Sequence, residues 1–245
     1  MNTKYPFSVE FEDNHLIIVN KPAGLLVQGD STGDKTLSDW VKDYIKEKYN
    51  KPGAVFLGTV HRLDRPVSGL VVFARTSKAL ERMNKIFRDR KVFKTYWAIV
   101  KRKPRPASGK LTHWLLKNPE KNITKAYDYE KTKALKSELD YKLLGSMNDH
   151  HLVQVNPRTG RPHQIRVQLA SKGCPIRGDL KYGFSKPNPD KSICLHARKL
   201  HFEHPVKKEA ITIVAGVPDE EFWNQFLNLD KIDNRKIKQI LGDGL

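Results

Sequence analysis

The sequence predicts an α+β protein, and three observations carry that prediction. Short β-branched or apolar runs, each stopped by turn residues, recur along the chain and become dense in its second half. Amphipathic stretches at helical spacing stand among them. Their order lacks the strand–helix–strand regularity of a parallel α/β sheet, which leaves a mixed arrangement. At 245 residues the chain can bury about 70% of its unfolded surface. No internal repeat, low-complexity segment or linker divides it.

The elements follow in order. His15–Val19 is a short apolar run stopped by Lys21-Pro22-Ala23-Gly24, hence a strand. Thr36 with Asp39 three residues on forms a capping box, and Leu37, Trp40, Val41, Tyr44 and Ile45 repeat behind it at helical spacing. Gly69–Ala74 reads as a buried strand. Thr76 or Ser77 caps a second helix with Leu80, Met83, Ile86 and Phe87 on one face. Thr95–Val100 is β-branched and aromatic, a further strand. Lys101–Lys110, with two prolines, Ser108 and Gly109, makes a loop. Ser137–Leu144, His151–Asn156, Lys199–Glu203 and Ala210–Val214 are strand candidates. Gln164–Ala170 fits a strand or the start of a helix. Asp219–Leu229 closes the chain as a helix carrying Phe222, Trp223, Phe226 and Leu227.

Charge narrows the partners. The chain holds 45 lysines and arginines against 27 aspartates and glutamates, a net +18. Self-repulsion of that size is relieved by a polyanion, and nucleic acid is the first candidate, ahead of an anionic membrane or an acidic protein. The excess is not in a tail. Between Arg75 and Arg105 twelve basic residues face only Glu81 and Asp89, so this stretch alone carries +10. A solvated helix face would mix signs at i,i+4; this one is expected to face an anion. No apolar run approaches a membrane span, and no signal peptide is read at Met1–Lys4, so a cytoplasmic protein is expected. Cys174 and Cys194 make neither a disulfide framework nor a zinc half-site pair. Phosphate-binding glycine loops and a serine nucleophile elbow are absent, so no metal or cofactor is expected.

Three stretches could carry chemistry. In Val60-His61-Arg62-Leu63-Asp64-Arg65-Pro66-Val67-Ser68-Gly69-Leu70, an aspartate stands between two arginines in a turn before a buried strand. Neighbouring guanidinium groups would hold its carboxylate ionised, able to act as nucleophile or base. A surface turn with a structural Asp–Arg pair fits the spacing equally. Arg158-Thr159-Gly160-Arg161-Pro162-His163-Gln164-Ile165-Arg166 is rich in donors and suits phosphate and base-edge contacts; a basic turn entering a core element is the bland alternative. In Lys94-Thr95-Tyr96-Trp97-Ala98, two adjacent aromatics point to opposite faces of a strand. One packs in the core and the other could stack on a base, without a sign of which.

Taken together these stretches resemble the RluA family of pseudouridine synthases, from about Phe7 to Gly216. HRLDRPVSGL at His61–Leu70 resembles the family signature around its catalytic aspartate. Asn20-Lys21-Pro22-Ala23-Gly24-Leu25 is similar to its N-terminal motif, Lys94–Ala98 to the segment with its tyrosine, and Gly160–Arg166 to its third motif. Val67 and Pro162 stand where threonine is common. The resemblance implies a pseudouridine synthase fold, a central mixed and mainly antiparallel sheet flanked by helices and loops. It implies one catalytic domain over 1–245, with no S4-type RNA-binding domain before it. The implied reaction is isomerisation of specific uridines in ribosomal or transfer RNA, by a monomer without metal or cofactor. Asp64 would be the nucleophile, Tyr96 would lie against the base and serve proton transfer, and Arg166 would pair with Asp64. Ile165 would pack beneath the uracil, and Arg62, with His61 beside it, would replace the flipped base. Arg161, His163 and Gln164 would bind substrate. The basic stretch after Arg75 would grip flanking backbone. The alternative is an inactive synthase-like RNA-binding or RNA-chaperone protein; the presence of Asp64, Tyr96 and Arg166 speaks against it.

Overall fold

The computed structural model describes residues 4–29 and 33–227. Its strands are β1 (Ser8–Glu12), β2 (Leu16–Lys21), β3 (Gly58–Thr59), β4 (Ser68–Ala74), β5 (Phe93–Val100), β6 (Ser108–Asn118), β7 (Ile123–Tyr127), β8 (Leu135–Met147), β9 (His150–Pro157), β10 (Leu195–Glu203) and β11 (Ala210–Val214). Its helices are α1 (Leu37–Lys48), α2 (Ser77–Arg88), α3 (Gln164–Ser171) and the single turn α4 (Glu221–Asn224), with a 3-10 turn at Leu180–Tyr182. The strands form one sheet in the order β1-β2-β4-β10-β5-β9-β8-β6-β7, with β11 beside β10 and β3 beside β4. Among these strands, β4 and β10 alone run parallel to each other. The sheet is therefore mixed and mainly antiparallel, as expected of an α+β fold.

Burial on both faces explains the continuous apolar runs of β2 and β4. Ile17, Val19, Val71 and Phe73 pack with Leu37, Val41 and Ile45 of α1. Leu16, Ile18, Leu70, Val72 and Ala74 pack on the other side with Ala79 and Met83 of α2. The helix caps follow the local sequence. Thr36 Oγ1 accepts from the Asp39 N–H at 3.2 Å, and the Asp39 carboxylate accepts from the Thr36 N–H at 3.0 Å. Of Thr76 and Ser77, Thr76 is the cap, taking the Ala79 N–H at 3.1 Å.

One open reading is resolved and other expectations are corrected. Gln164–Ala170 is helical, and its first six residues are all buried, so neither period shows in the sequence. The loop after β5 ends at Ala107, because Ser108 and Gly109 already pair with Lys142 and Tyr141. Strands β1, β3, β6 and β7 lie in stretches without clean alternation. The closing helix is one turn, with Trp223 and Phe226 buried and Leu227 exposed; residues 228–229 of that expectation lie outside the described residues. Among the described residues no helix is long and apolar enough to cross a membrane.

One close approach fixes the start of β4. Gly69 adopts φ +115°, and a Cβ there would stand 2.4 Å from the Ala197 backbone nitrogen. Gly24 also has positive φ, +85°, but a Cβ there would meet nothing. Gly69→Ala is therefore expected to cost about 3 kcal/mol or more, and Gly24→Ala only about 1 kcal/mol. Urea unfolding of the two variants measures the difference; equal costs would disprove the packing constraint.

Candidate active site

A cavity of about 720 Å³ opens between the turn before β4, the start of β5, the loop before α3 and the segment around Lys181. That is within the ~300–1,000 Å³ typical of small-ligand pockets. The turn is stitched down on every side. The Val67 N–H closes it onto the Asp64 carbonyl at 3.1 Å, and the Ile193 N–H donates to the Pro66 carbonyl at 3.0 Å. The Arg65 carbonyl accepts from the Gly24 N–H at 2.8 Å and from Lys21 Nζ at 3.3 Å. Buried Leu63 and Val67 anchor its flanks. Asp64 is thereby presented to the cavity with its side chain 30% exposed.

Neither arginine next to Asp64 in sequence is its partner. Arg65 donates to the Gly24 carbonyl at 3.0 Å and pairs with Asp34 at 2.8 Å. Arg62 is exposed on the cavity wall. The guanidinium that meets Asp64 comes from α3, 102 residues away: Arg166 Nη1 donates to Oδ2 at 2.8 Å. Arg166 is itself aimed from behind. Its Nε and Nη2 donate to the two oxygens of Asp179 at 2.7 and 2.9 Å, a bidentate fork. Asp179 is 1% exposed and Arg166 5%. Burial alone would lower the Arg166 pKa, but hydrogen bonds and charge from Asp179 and Asp64 reverse that and raise it.

The aromatic ambiguity of β5 is resolved by its register. Tyr96 lies opposite Ala197 and Val155 and lines the cavity, whereas Trp97 is buried in the core beneath the Arg198 guanidinium. Burial, then the Asp64 charge, pushes the Tyr96 phenol pKa up, so it keeps its proton. His163 caps α3 in the left-handed conformation, φ 54°, with Nδ1 2.7 Å from the Tyr182 hydroxyl and Nε2 3.8 Å from Asp64 Oδ2. Burial, only partly opposed by Asp64, lowers its pKa and leaves it neutral.

The remaining sequence candidates all reach the cavity wall, with different freedom. Ile165 offers an apolar side. Arg161 lines the wall with its Nε buried and without a partner. The Gln164 amide is committed internally, accepting from Thr159 Oγ1 and the Arg161 N–H and donating to the Glu138 carbonyl. His61 Nε2 accepts from the Val72 N–H and its ring stacks on Phe87 at 5.0 Å. Burial lowers its pKa to about 3, so it is neutral. The basic stretch Arg75–Arg105 contributes only Lys94 to the cavity. Arg75 is tied to Glu12 at 3.0 Å, and the loop from Lys101 lies past the far end of β5. Besides Arg65 and Arg166, which pair with carboxylates, the other cations on the wall are Arg62, Lys117, Arg161 and Lys181.

Three residues of consequence escape a reading of the sequence. Asp179 and Tyr182 stand in a stretch, Arg177–Gly183, without periodicity; the signal was a lone aspartate four residues after a proline. Lys21 lies within the N-terminal motif but looks like a surface lysine. It is fully buried, with Nζ held by the carbonyls of Pro22, Leu25 and Arg65. Burial lowers its pKa to about 7, against the pull of Asp64.

Residues 15–171 match the family described as RNA pseudouridylate synthase. The chain is 33% identical over 210 residues to ribosomal large subunit pseudouridine synthase C of Rickettsia prowazekii (strain Madrid E), covering 85% of this chain and 67% of that protein. It is also 33% identical over 225 residues to the protein of the same name from Buchnera aphidicola subsp. Acyrthosiphon pisum (strain APS), covering 89% and 69%. The solved structure of human RNA Pseudouridylate Synthase Domain Containing 4 superposes with TM-score 0.74 at 25% identity, covering 91% of this chain and 92% of that one. Human RNA Pseudouridylate Synthase Domain Containing 1, with TM-score 0.69 and 21% identity, shares the fold. The carboxylate turn, the arginine aimed at it and these matches lead to one conclusion: the chain belongs to the RluA family of RNA pseudouridine synthases, isomerases that act on RNA.

Proposed function

We propose that this enzyme isomerises specific uridines of ribosomal RNA, with Asp64 as the nucleophile. The observation that carries the assignment is the cavity-facing Asp64 carboxyl group held by Arg166 at 2.8 Å. The relatives named for the large ribosomal subunit support the substrate class. In the reaction the N1–C1′ bond breaks and a C5–C1′ bond forms; one proton leaves C5 and one arrives at N1. The balance requires no electron acceptor.

The target uridine cannot be reached inside a stacked helix, so it must be flipped out at a cost of a few kcal/mol. The cavity offsets that cost in three ways. Ile165 and Tyr96 enclose the base, with the protonated phenol beside it for proton transfer. Arg62, with His61 behind it, fills the place the base leaves. Arg62, Lys94, Lys117, Arg161 and Lys181 neutralise flanking phosphates, which set register but carry no base identity. Gln164 acts through the loop it braces, keeping Arg161 and His163 in place, and His163 borders the reacting nucleotide beside Asp64. Arg166 keeps Asp64 aimed, and Asp179 keeps Arg166 aimed. We place the whole reaction in a monomer of one catalytic domain, in the cytoplasm.

Pseudouridine mapping of total RNA with and without the gene tests the reading directly. A site lost from large-subunit ribosomal RNA is expected. Loss from transfer RNA alone would overturn the substrate class, and no loss at all would favour a non-catalytic RNA-binding role. Asp64→Asn should lower kcat by about 10⁴-fold or more. RNA affinity should hold or rise slightly, because one negative charge leaves an anion-binding site; retained turnover would end the assignment. With five wall cations on phosphates, affinity should fall by about 10²-fold from about 50 to about 200 mM salt, and Lys117→Gln with Lys181→Gln should reduce the log–log slope by about 1.4. Filter binding across a salt series measures both. Asp179→Asn should cost about 3 kcal/mol in urea unfolding, since it leaves a buried guanidinium half-paired. It should also lower kcat more than it changes KM.

A further inference from the structure

His163 faces the cavity through one ring nitrogen and the protein through the other, and the protein side decides where its proton sits. The Tyr182 oxygen accepts from the Thr124 backbone N–H at 2.8 Å. The Thr124 hydroxyl donates to the Pro162 carbonyl at 3.1 Å. The acceptor that the phenol proton meets at hydrogen-bond distance is Nδ1 of His163 at 2.7 Å, with the Thr124 hydroxyl oxygen as its competitor. If Nδ1 carried the ring proton instead, the half-buried phenol would lose that acceptor and would have to turn its proton to the Thr124 hydroxyl oxygen or to solvent. The arrangement favours the neutral ring with its proton on Nε2, which points toward Asp64 Oδ2 across 3.8 Å. At that distance it is a poised donor rather than a formed hydrogen bond.

We propose that Tyr182 is a positioning residue for the isomerisation: it holds His163 as the Nε2–H tautomer, so that a neutral donor and not a lone pair faces Asp64. The opposite tautomer would turn a nitrogen lone pair on a carboxylate that is already negative, and push it off its line. An imidazolium would pair with Asp64 outright and blunt it. Arg166, Lys181 and Lys117 all face His163 and disfavour that charge, while Asp64 favours it. The Tyr182 ring also lies under the Arg166 guanidinium at 5.1 Å, so one side chain braces both partners of the carboxylate. Tyr182 itself is held by the 3-10 turn that Asp179 begins, its N–H donating to the Asp179 carbonyl at 3.1 Å.

The proposal rests on the reading of Asp64 as the reacting carboxylate, and its first test does not need turnover. In the full chain labelled with ¹⁵N-histidine, with His163 assigned by its loss in His163→Gln, the ring at neutral pH should show its proton on Nε2. Tyr182→Phe, which keeps the ring, should move the proton to Nδ1 or mix the tautomers. A proton on Nδ1 in the unaltered protein, or a tautomer unchanged in Tyr182→Phe, would overturn the proposal. In turnover, Tyr182→Phe should lower kcat by about tenfold or more with KM within about twofold. In a His163→Gln background, where the amide N–H needs no tautomer, Tyr182→Phe should cost nothing further. An equal loss in both backgrounds would mean that Tyr182 acts by structure alone, and would also overturn it. Failure of Asp64→Asn to lose activity, with the tautomer as expected, would strike the nucleophile assignment and leave the tautomer assignment standing.

Discussion

The Arg166 guanidinium is shared by two carboxylates, and the geometry of the site hangs on that sharing. A buried guanidinium is stable only while its donors are occupied; an unpaired one costs several kcal/mol. Asp179 takes the Nε and Nη2 edge as a planar fork, which fixes the orientation of the group. Nη1 is then left pointing at a single place, and Asp64 occupies it. The carboxylate is thus positioned by a rigid donor instead of by its own short side chain. Segments 102 residues apart have to arrive together for this to happen: the turn before β4, and the helix α3 with the turn that follows it.

The scaffold makes that arrival reproducible. Strand β4 is buried on both faces and lies in the sheet between β2 and β10, and the parallel contact with β10 at Gly69 leaves it no room to shift. The turn ahead of it is bound to the N-terminal segment through Lys21 and Gly24 and to the approach of β10 through Ile193. Lys21 is an unusual tie, a buried amino group donating to three carbonyls. It stands behind the turn without contacting Asp64, and with its pKa lowered to about 7 by burial it is only partly charged near neutral pH. Positive charge in front comes from side chains of β5, β6, the loop before α3 and the 3-10 turn, so the anion-binding wall is assembled from dispersed positions.

Much of the architecture was legible because local forces dominate it. The Thr36–Asp39 box, the Thr76 cap and the apolar runs of β2 and β4 are each recorded within a few residues. Strands β6 and β7 were not legible: their residues alternate poorly, and their pairing is set by partners 20 to 34 residues away or by a short hairpin. Helix α3 hid for the opposite reason. Gln164, Arg166 and Gln168 are polar yet buried, each with hydrogen-bond partners inside the protein, so the amphipathic signal cancels. At the site, the motif around Asp64 was conspicuous, whereas Asp179 and Tyr182 left no local mark.

By itself the sequence determined the chemical class: a basic chain, an aspartate in a tight turn, and ordered motifs similar to one family of RNA-modifying enzymes. Only the tertiary structure decided which arginine serves that aspartate, which of two adjacent aromatics faces the cavity, and where the positive charge is useful. The reason is range. Turns, caps and apolar runs are settled by neighbours along the chain. Pairing a buried charge is settled by whichever opposite charge the fold brings within about 3 Å; of the arginines near Asp64 in the chain, Arg65 is drawn to Gly24 and Asp34, and Arg62 stands exposed on the cavity wall.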